Sequence, residues 1–168
     1  FRENNFKLEN VFAPPVAISM LIPGIGKEHL NVMKDISKMA CVEVAIRDTF
    51  PGRITTDSKG RVKIYKELDD QDKNTREKGF KAIHNIFNST GAKKIINGAF
   101  DIGLHLMGGL NIGADPVNSV VSPDFNLHGK KNIFVADSSI FPNAPGINPS
   151  LTIMALSKMA ASKITGRL

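Results

Sequence analysis

Hydrophobic positions recur along this chain at two spacings, and the spacings predict which elements lie where. In Ala40 to Asp48 (ACVEVAIRD), Val42, Val44 and Ile46 fall on one face of a period-two pattern, which predicts a strand. The turn TFPGR follows. Asp57 to Gly60 then predict a second turn, leading into a strand through Val62, Ile64 and Tyr65, so two or three antiparallel strands are expected in this region. Helical spacing governs other stretches. Leu30, Met33 and Ile36 predict a short helix over Glu28 to Met39, with His29 exposed near its start and Lys38 favouring the dipole at its end. Phe80, Ile83 and Phe87 mark the buried stripe of a longer helix capped by Asp69 or Asp70 and stopped by Gly91. His84 lies on the same side and reads as a packed boundary residue. The segment from Ala92 to Asn97 reads as a strand. VFAPPVAISMLIPGIG, from Val11 to Gly26, is apolar but interrupted by Pro14, Pro15 and Pro23. It falls short of the ~20 residues a membrane helix needs and reads as loop and core, with no transmembrane segment.

The last third changes texture. Five glycines, Gly98, Gly103, Gly108, Gly109 and Gly113, crowd one stretch, where the backbone can turn tightly or approach a ligand. His105 sits inside it. A strand, a Ser-Pro-Asp turn, a short strand, a surface turn at His128 to Lys130 and a final strand over Ile133 to Ala136 come next. Asp137 ends that strand. From Pro149 to Ile164 no glycine or proline interrupts the pattern, which predicts a helix with Asn148 as N-cap, Pro149 at the first helical position and Gly166 at the C-terminal cap. Its start, Gly146 to Leu151, offers free N–H groups and partial positive charge to an electron-rich group. Leu151, Ile153, Met154, Ala155 and Leu156 cover nearly every face of its first two turns. A helix apolar all round belongs inside a larger body.

Composition narrows the picture. A net charge of +6 is spread among acids, as in KELDDQDKNTREKGFK, and no aromatic residues interleave with the basic ones, so nucleic acid is not the expected partner. The single cysteine, Cys41, rules out an internal disulfide framework, and no His/Cys spacing suggests a metal site. GIGKEH, at Gly24 to His29, imitates a phosphate-binding glycine loop but lacks its third glycine and follows Pro23, so it reads as a turn. Ser138 and Ser139 lack a G-x-S-x-G elbow, which argues against a hydrolase. The chain opens on Phe1 rather than methionine, as a fragment or processed chain would.

Three motifs in order carry a family resemblance: H-x-x-G-G at His105 to Gly109 with Gly113 after it, KNIFVADSSIFP at Lys131 to Pro142, and G-x-N-P-x-x-T-I-x-A-L at Gly146 to Leu156. Together they resemble the C-terminal part of the glucose-methanol-choline family of flavin-dependent oxidoreductases, in its cholesterol-oxidase-like and pyranose-oxidase-like branches. The resemblance is strong over His105 to Ile164 and looser upstream. It implies an α+β fold in which a mostly antiparallel sheet flanked by helices forms a substrate-binding portion over residues 1–121. Residues 122–168 would supply the C-terminal strand and helix of an FAD-binding domain. It also implies that the family's flavin-binding G-x-G-x-x-G belongs to an N-terminal half outside this sequence, and that this half is the chain's partner.

The resemblance assigns roles residue by residue. His105 and Asn148 become the catalytic pair, and Asp137, Ser138, Gly146, Asn148, Pro149 and Ser150 the residues that touch FAD. Oxidising an alcohol removes a hydroxyl proton and a hydride from one carbon, and no side chain accepts hydride, so a cofactor must. The implied reaction moves hydride from a CH–OH donor to flavin N5 with His105 as base, on a small alcohol, sugar or sterol. Two departures stand out. Leu110 replaces the threonine or cysteine common after the Gly-Gly, and Glu9 lies two residues out of register before Val11-Phe12-Ala13-Pro14, so the steroid isomerase glutamate has no match. A non-catalytic binding or assembly module of the same fold is the alternative, and it predicts damage at His105 or Asn148, which are intact. The chain alone is expected to hold flavin weakly and, through exposed apolar surface on its last helix, to self-associate.

Overall fold

A computed structural model describes residues 2–166, which divide into two compact units, one ending at Ile102 and the other starting at Gly103. The division places the glycine-rich loop and the last helix in one unit.

In the first unit, strand β1 (Phe6–Asn10) pairs antiparallel with β2 (Val42–Ile46), Leu8 lying opposite Val44. β2 is the strand its alternation predicts; β1 is an additional one. Helix α3 (Asp70–Ser89) lies on this pair, with Gly79 and Ile83 buried on its inner side and Phe80 and Phe87 half-buried. Asp69 is its N-cap, accepting from the Asp72 amide at 2.7 Å, and Gly91 follows the C-cap with φ +77°, which glycine adopts without strain. The Asp72 carboxylate is buried and accepts from the amides of Thr49 (3.1 Å) and Phe50 (3.2 Å), tying the helix start to the chain after β2. Strands β3 (Arg53–Thr56) and β4 (Val62–Tyr65) form a separate antiparallel hairpin around the predicted turn.

Several expectations are corrected. The proline-rich stretch is not loop and core: Pro14 and Pro15 start helix α1 (Pro15–Leu21), where a missing N–H costs nothing, and Val16 and Met20 are exposed. The helix expected over Glu28 to Met39 is broken into α2 (Gly26–Met33) and a 3₁₀ turn (Ile36–Lys38), because Asp35 leaves helical geometry and accepts from Lys38 Nζ at 2.7 Å. His29 is half-buried, its Nε2–H donating to Ser19 O at 2.9 Å. Residues 92–97 form no strand.

In the second unit, Val121, Phe125, Ile140, Phe141 and Ala160 form the core, with Ile153 and Leu156 packed against it. Ala160, Ile153 and Leu156 belong to helix α4 (Ser150–Thr165). The C-terminal strand expected over Ile133 to Ala136 is reduced to an isolated bridge, Asn126 with Phe134. Phe125, at φ +67°, sits in the left-handed region and breaks the extended run opposite it. The fold is α+β, as expected, with its antiparallel strands in two separate pairs.

Candidate functional site

The glycine loop and the Asp-Ser-Ser turn lie side by side. The amides of Gly108, Leu110 and Ile112 donate to the carbonyls of Ser138 (3.0 Å), Ser139 (3.0 Å) and Ile140 (3.1 Å). Gly108 and Gly109 have φ of +85° and +96°, and a side chain on Gly108 would close to 3.5 Å from Phe141 O. Glycine is required here because the loop turns left-handed against another backbone. Ser138 Oγ donates to Leu106 O at 3.0 Å and fixes the residue next to His105. The His105 ring itself is exposed, with no hydrogen-bond partner among the described residues.

Asp137 caps the 3₁₀ turn Ser138–Ile140 and is exposed. Its Oδ1 accepts from the Ser139 hydroxyl at 2.5 Å and the Ser139 amide at 2.8 Å. The hydroxyl foremost, and then the amide, hold this carboxyl below its ordinary value, so it stays ionised, with Oδ2 open to a donor.

Helix α4 starts one residue later than its cap motif predicts. Pro149, not Asn148, occupies the N-cap, and no side chain caps the helix. Proline has no side-chain oxygen to serve as cap, and its own carbonyl takes the first helical bond, from Ile153 N at 2.9 Å. The amides of Ser150, Leu151 and Thr152 therefore precede the first helical bond and remain open. Pro149 is buried, Asn148 and Ser150 are exposed, and Gly146 turns the chain ahead of them with φ +74°. Ser157 Oγ donates to Ala136 O at 2.6 Å, pinning the helix beside the residue that precedes Asp137. An open apolar cleft of about 230 Å³ lies against the first turns, lined in part by Ile112, Phe141, Pro145 and Thr152. No hydrogen bond joins His105 to Asn148 among the described residues.

His128 is not the surface residue its turn suggests. It is half-buried, and Nε2 lies 3.0 Å from Ser119 Oγ and 3.1 Å from Gly113 O. Ser119 Oγ donates in turn to Asp115 O at 2.6 Å, so the imidazole locks the end of the glycine loop. Ser119, Ser139 and Ser157 are contributors that periodicity does not reveal; only the D-S-S triplet, a common side-chain turn, could have been read from residue types. No cluster of His, Cys, Asp and Glu suited to a metal occurs among the described residues.

Fold and site together define an α+β protein whose glycine turn and uncapped helix present an imidazole, an amide, a carboxylate and open backbone donors. Known proteins are similar to this chain in sequence and in fold. The model of the GMC oxidoreductase family matches residues 49–157, a span that includes His105 and Asn148. Cholesterol oxidase of Acinetobacter baumannii is 40% identical over 63 residues, 38% of this chain and 11% of that protein. Paromamine 6'-oxidase of Streptomyces fradiae is 38% identical over 64 residues, 38% of this chain and 12% of that protein. An uncharacterised GMC-type oxidoreductase of Mycobacterium tuberculosis is 24% identical over 96% of this chain and 29% of its own length. The fold is similar to that of formate oxidase from Aspergillus oryzae, with a TM-score of 0.56 and 20% identity, over 71% of this chain and 25% of that one. The chain belongs to the GMC oxidoreductase family. It spans between a tenth and a third of the length of these relatives.

Proposed function

We propose that this chain is the C-terminal portion of an FAD-dependent oxidoreductase acting on CH–OH groups. The observation that carries the reading is the family match over residues 49–157, a span that contains His105 and Asn148. Residues 1–121 are assigned to the substrate-binding portion and 122–168 to the FAD-binding domain.

The donor set fits a flavin. Open amides at Ser150, Leu151 and Thr152, the bare turn at Gly109 and the free Oδ2 of Asp137 match a ligand with an electron-rich heterocyclic edge and a hydroxylated chain. Gly146 and Pro149 shape the approach to that helix start, and Ser138 holds the glycine loop. When bound, FAD supplies the hydride acceptor that the polypeptide lacks. The exposed His105 ring takes the proton from the substrate hydroxyl, an imidazole being suited to that exchange near neutrality. Asn148 donates from its side-chain amide to the same oxygen and fixes its direction. The amides of α4 present partial positive charge where negative charge develops. Asp137, held ionised by Ser139, accepts from a hydroxyl donor. Small alcohols, sugars and sterols are the substrate classes this chemistry serves.

The test is the visible spectrum of the whole enzyme containing this chain, mixed without oxygen with a panel of alcohols. Bleaching by one alcohol, slowed ~10²- to 10⁴-fold in His105→Ala, is the expected result. An enzyme that carries no flavin returns the reading to a binding or assembly module, and equal bleaching without His105 moves the base elsewhere.

A further inference from the structure

Asn97 is the only asparagine in the sequence followed by glycine, and the pair lies in an exposed, irregular stretch after α3. The Asn97 side chain meets His84 of α3, whose Nε2 stands 3.0 Å from Oδ1. An amide oxygen only accepts, so the ring presents N–H to it. The Gly98 amide makes no hydrogen bond among the described residues. Without a Cβ, Gly98 leaves that nitrogen unshielded and free to swing toward the preceding side chain. The chain just beyond is tethered: Ala99 N donates to Leu21 O at 2.8 Å, and Arg76 of α3 pairs with Asp101. An amide carbonyl polarised by an imidazole donor, beside an uncommitted backbone nitrogen, is the arrangement that intramolecular attack requires.

We infer that Asn97 is a site of self-catalysed deamidation, promoted by the His84 imidazole. Gly98 N gives up its proton to solvent and bonds to Asn97 Cγ, while the carbonyl electron pair moves onto Oδ1. His84 Nε2–H donates to the oxygen on which that charge develops, and so lowers the barrier. Collapse restores the carbonyl and breaks the Cγ–Nδ2 bond; the nitrogen takes a proton from solvent and leaves as ammonia. Water then opens the five-membered imide at either carbonyl, giving aspartate or isoaspartate. The sum is asparagine and water giving the acid and ammonia, with nothing oxidised or reduced. Aspartate sets a carboxylate where the amide met His84, and isoaspartate adds a methylene to the backbone. Neither product returns to asparagine, so the modified fraction grows with the age of the protein.

Peptide mass spectrometry of the whole enzyme containing this chain, aged at neutral pH, tests it through the mass gained when the amide becomes an acid. The Asn97 peptide should convert well ahead of the Asn88 peptide, whose asparagine is held within α3. His84→Leu, which keeps the helix and removes the donor, should slow conversion at Asn97 by ~10-fold or more. His84→Gln keeps an N–H at similar reach and should retain most of the rate. Gly98→Ala should also slow it, and the methyl fits, its closest neighbour being Leu21 O at 3.8 Å. Conversion as fast in His84→Leu as in the parent overturns the inference, since the sequence pair alone would then account for it. Faster conversion in that variant also overturns it, because the hydrogen bond would be protecting the amide. An Asn97 that stays intact while Asn88 converts does the same.

Discussion

Gly79 should resist the substitution that helix propensity recommends. It lies in the interior of α3, where replacing glycine with alanine in an exposed helix would stabilise by ~1 kcal/mol. Here a methyl group would overlap Val44 Cγ2 outright, stand 3.0 Å from Val44 Cβ and reach within 3.5 Å of Phe6 Cδ2. Val44 cannot give way easily. Its side chain is β-branched with few rotamers, and its backbone is held in the ladder opposite Leu8. The relief must come from α3 lifting off the β1–β2 pair, and overpacking of that kind costs ~1–3 kcal/mol. With both neighbours anchored the upper part of that range applies, so Gly79→Ala should lose about 1–2 kcal/mol net of the propensity gain. In urea unfolding of this chain followed by circular dichroism, that is a midpoint lower by roughly 0.5–1 M at unchanged slope. Val44→Ala should remove the clash, so that Gly79→Ala in that background is neutral or stabilising, a coupling of opposite sign to additivity. A Gly79→Ala protein as stable as the parent, or more so, refutes the packing argument.

Asp72→Ala should destabilise by ~2–3 kcal/mol, because the Thr49 and Phe50 amides lose their buried acceptor, and Asp72→Asn should cost less because one oxygen remains; urea midpoints decide it. Phe125→Ala should cost ~3–5 kcal/mol by opening a cavity among Val121, Ile140 and Phe141, the loss being read from the same unfolding curves. Asp137 should titrate below the usual carboxylate range and move upward in Ser139→Ala, as carboxyl NMR would record. Because its folded value is the lowered one, the associated stability is present above about pH 4 and is lost only as pH falls through the folded value. This chain purified alone should be colourless; a yellow protein with one flavin per chain contradicts the assignment of the nucleotide-binding half to other polypeptide.

What the sequence made legible follows from where the deciding forces are local. α3 is readable because its cap, its apolar stripe and its terminating glycine all lie within one segment and agree. β2 is readable by alternation, yet β1 is not, since Phe6–Asn10 becomes a strand through pairing with residues more than thirty positions away. The start of α4 was misplaced by one residue because Asn148 and Pro149 both favour a helix start, and only tertiary packing, which buries Pro149, decides between them. The expected strand at Ile133 to Ala136 fails for a similar reason. Its partner stretch turns at Phe125, whose left-handed backbone serves the core and not the ladder.

The four histidines give the proposed base its physical contrast. His29 donates to Ser19 O, His84 Nε2 meets Asn97 Oδ1 at 3.0 Å, and His128 Nε2 is shared between Ser119 and Gly113. Each of those rings bridges two segments of the fold through Nε2. His105 bridges nothing among the described residues, although the chain just after it is held: Ser138 grips the Leu106 carbonyl, and Gly108 is laced to the Ser138 carbonyl. A ring with both nitrogens uncommitted can exchange a proton with a ligand without breaking a bond of the fold, which is what the proposed general base needs. Sequence alone could single out His105 only through its motif. Within the proposed function, the contrast with the other three histidines, which already have partners, is a reason for choosing His105 that does not depend on the motif.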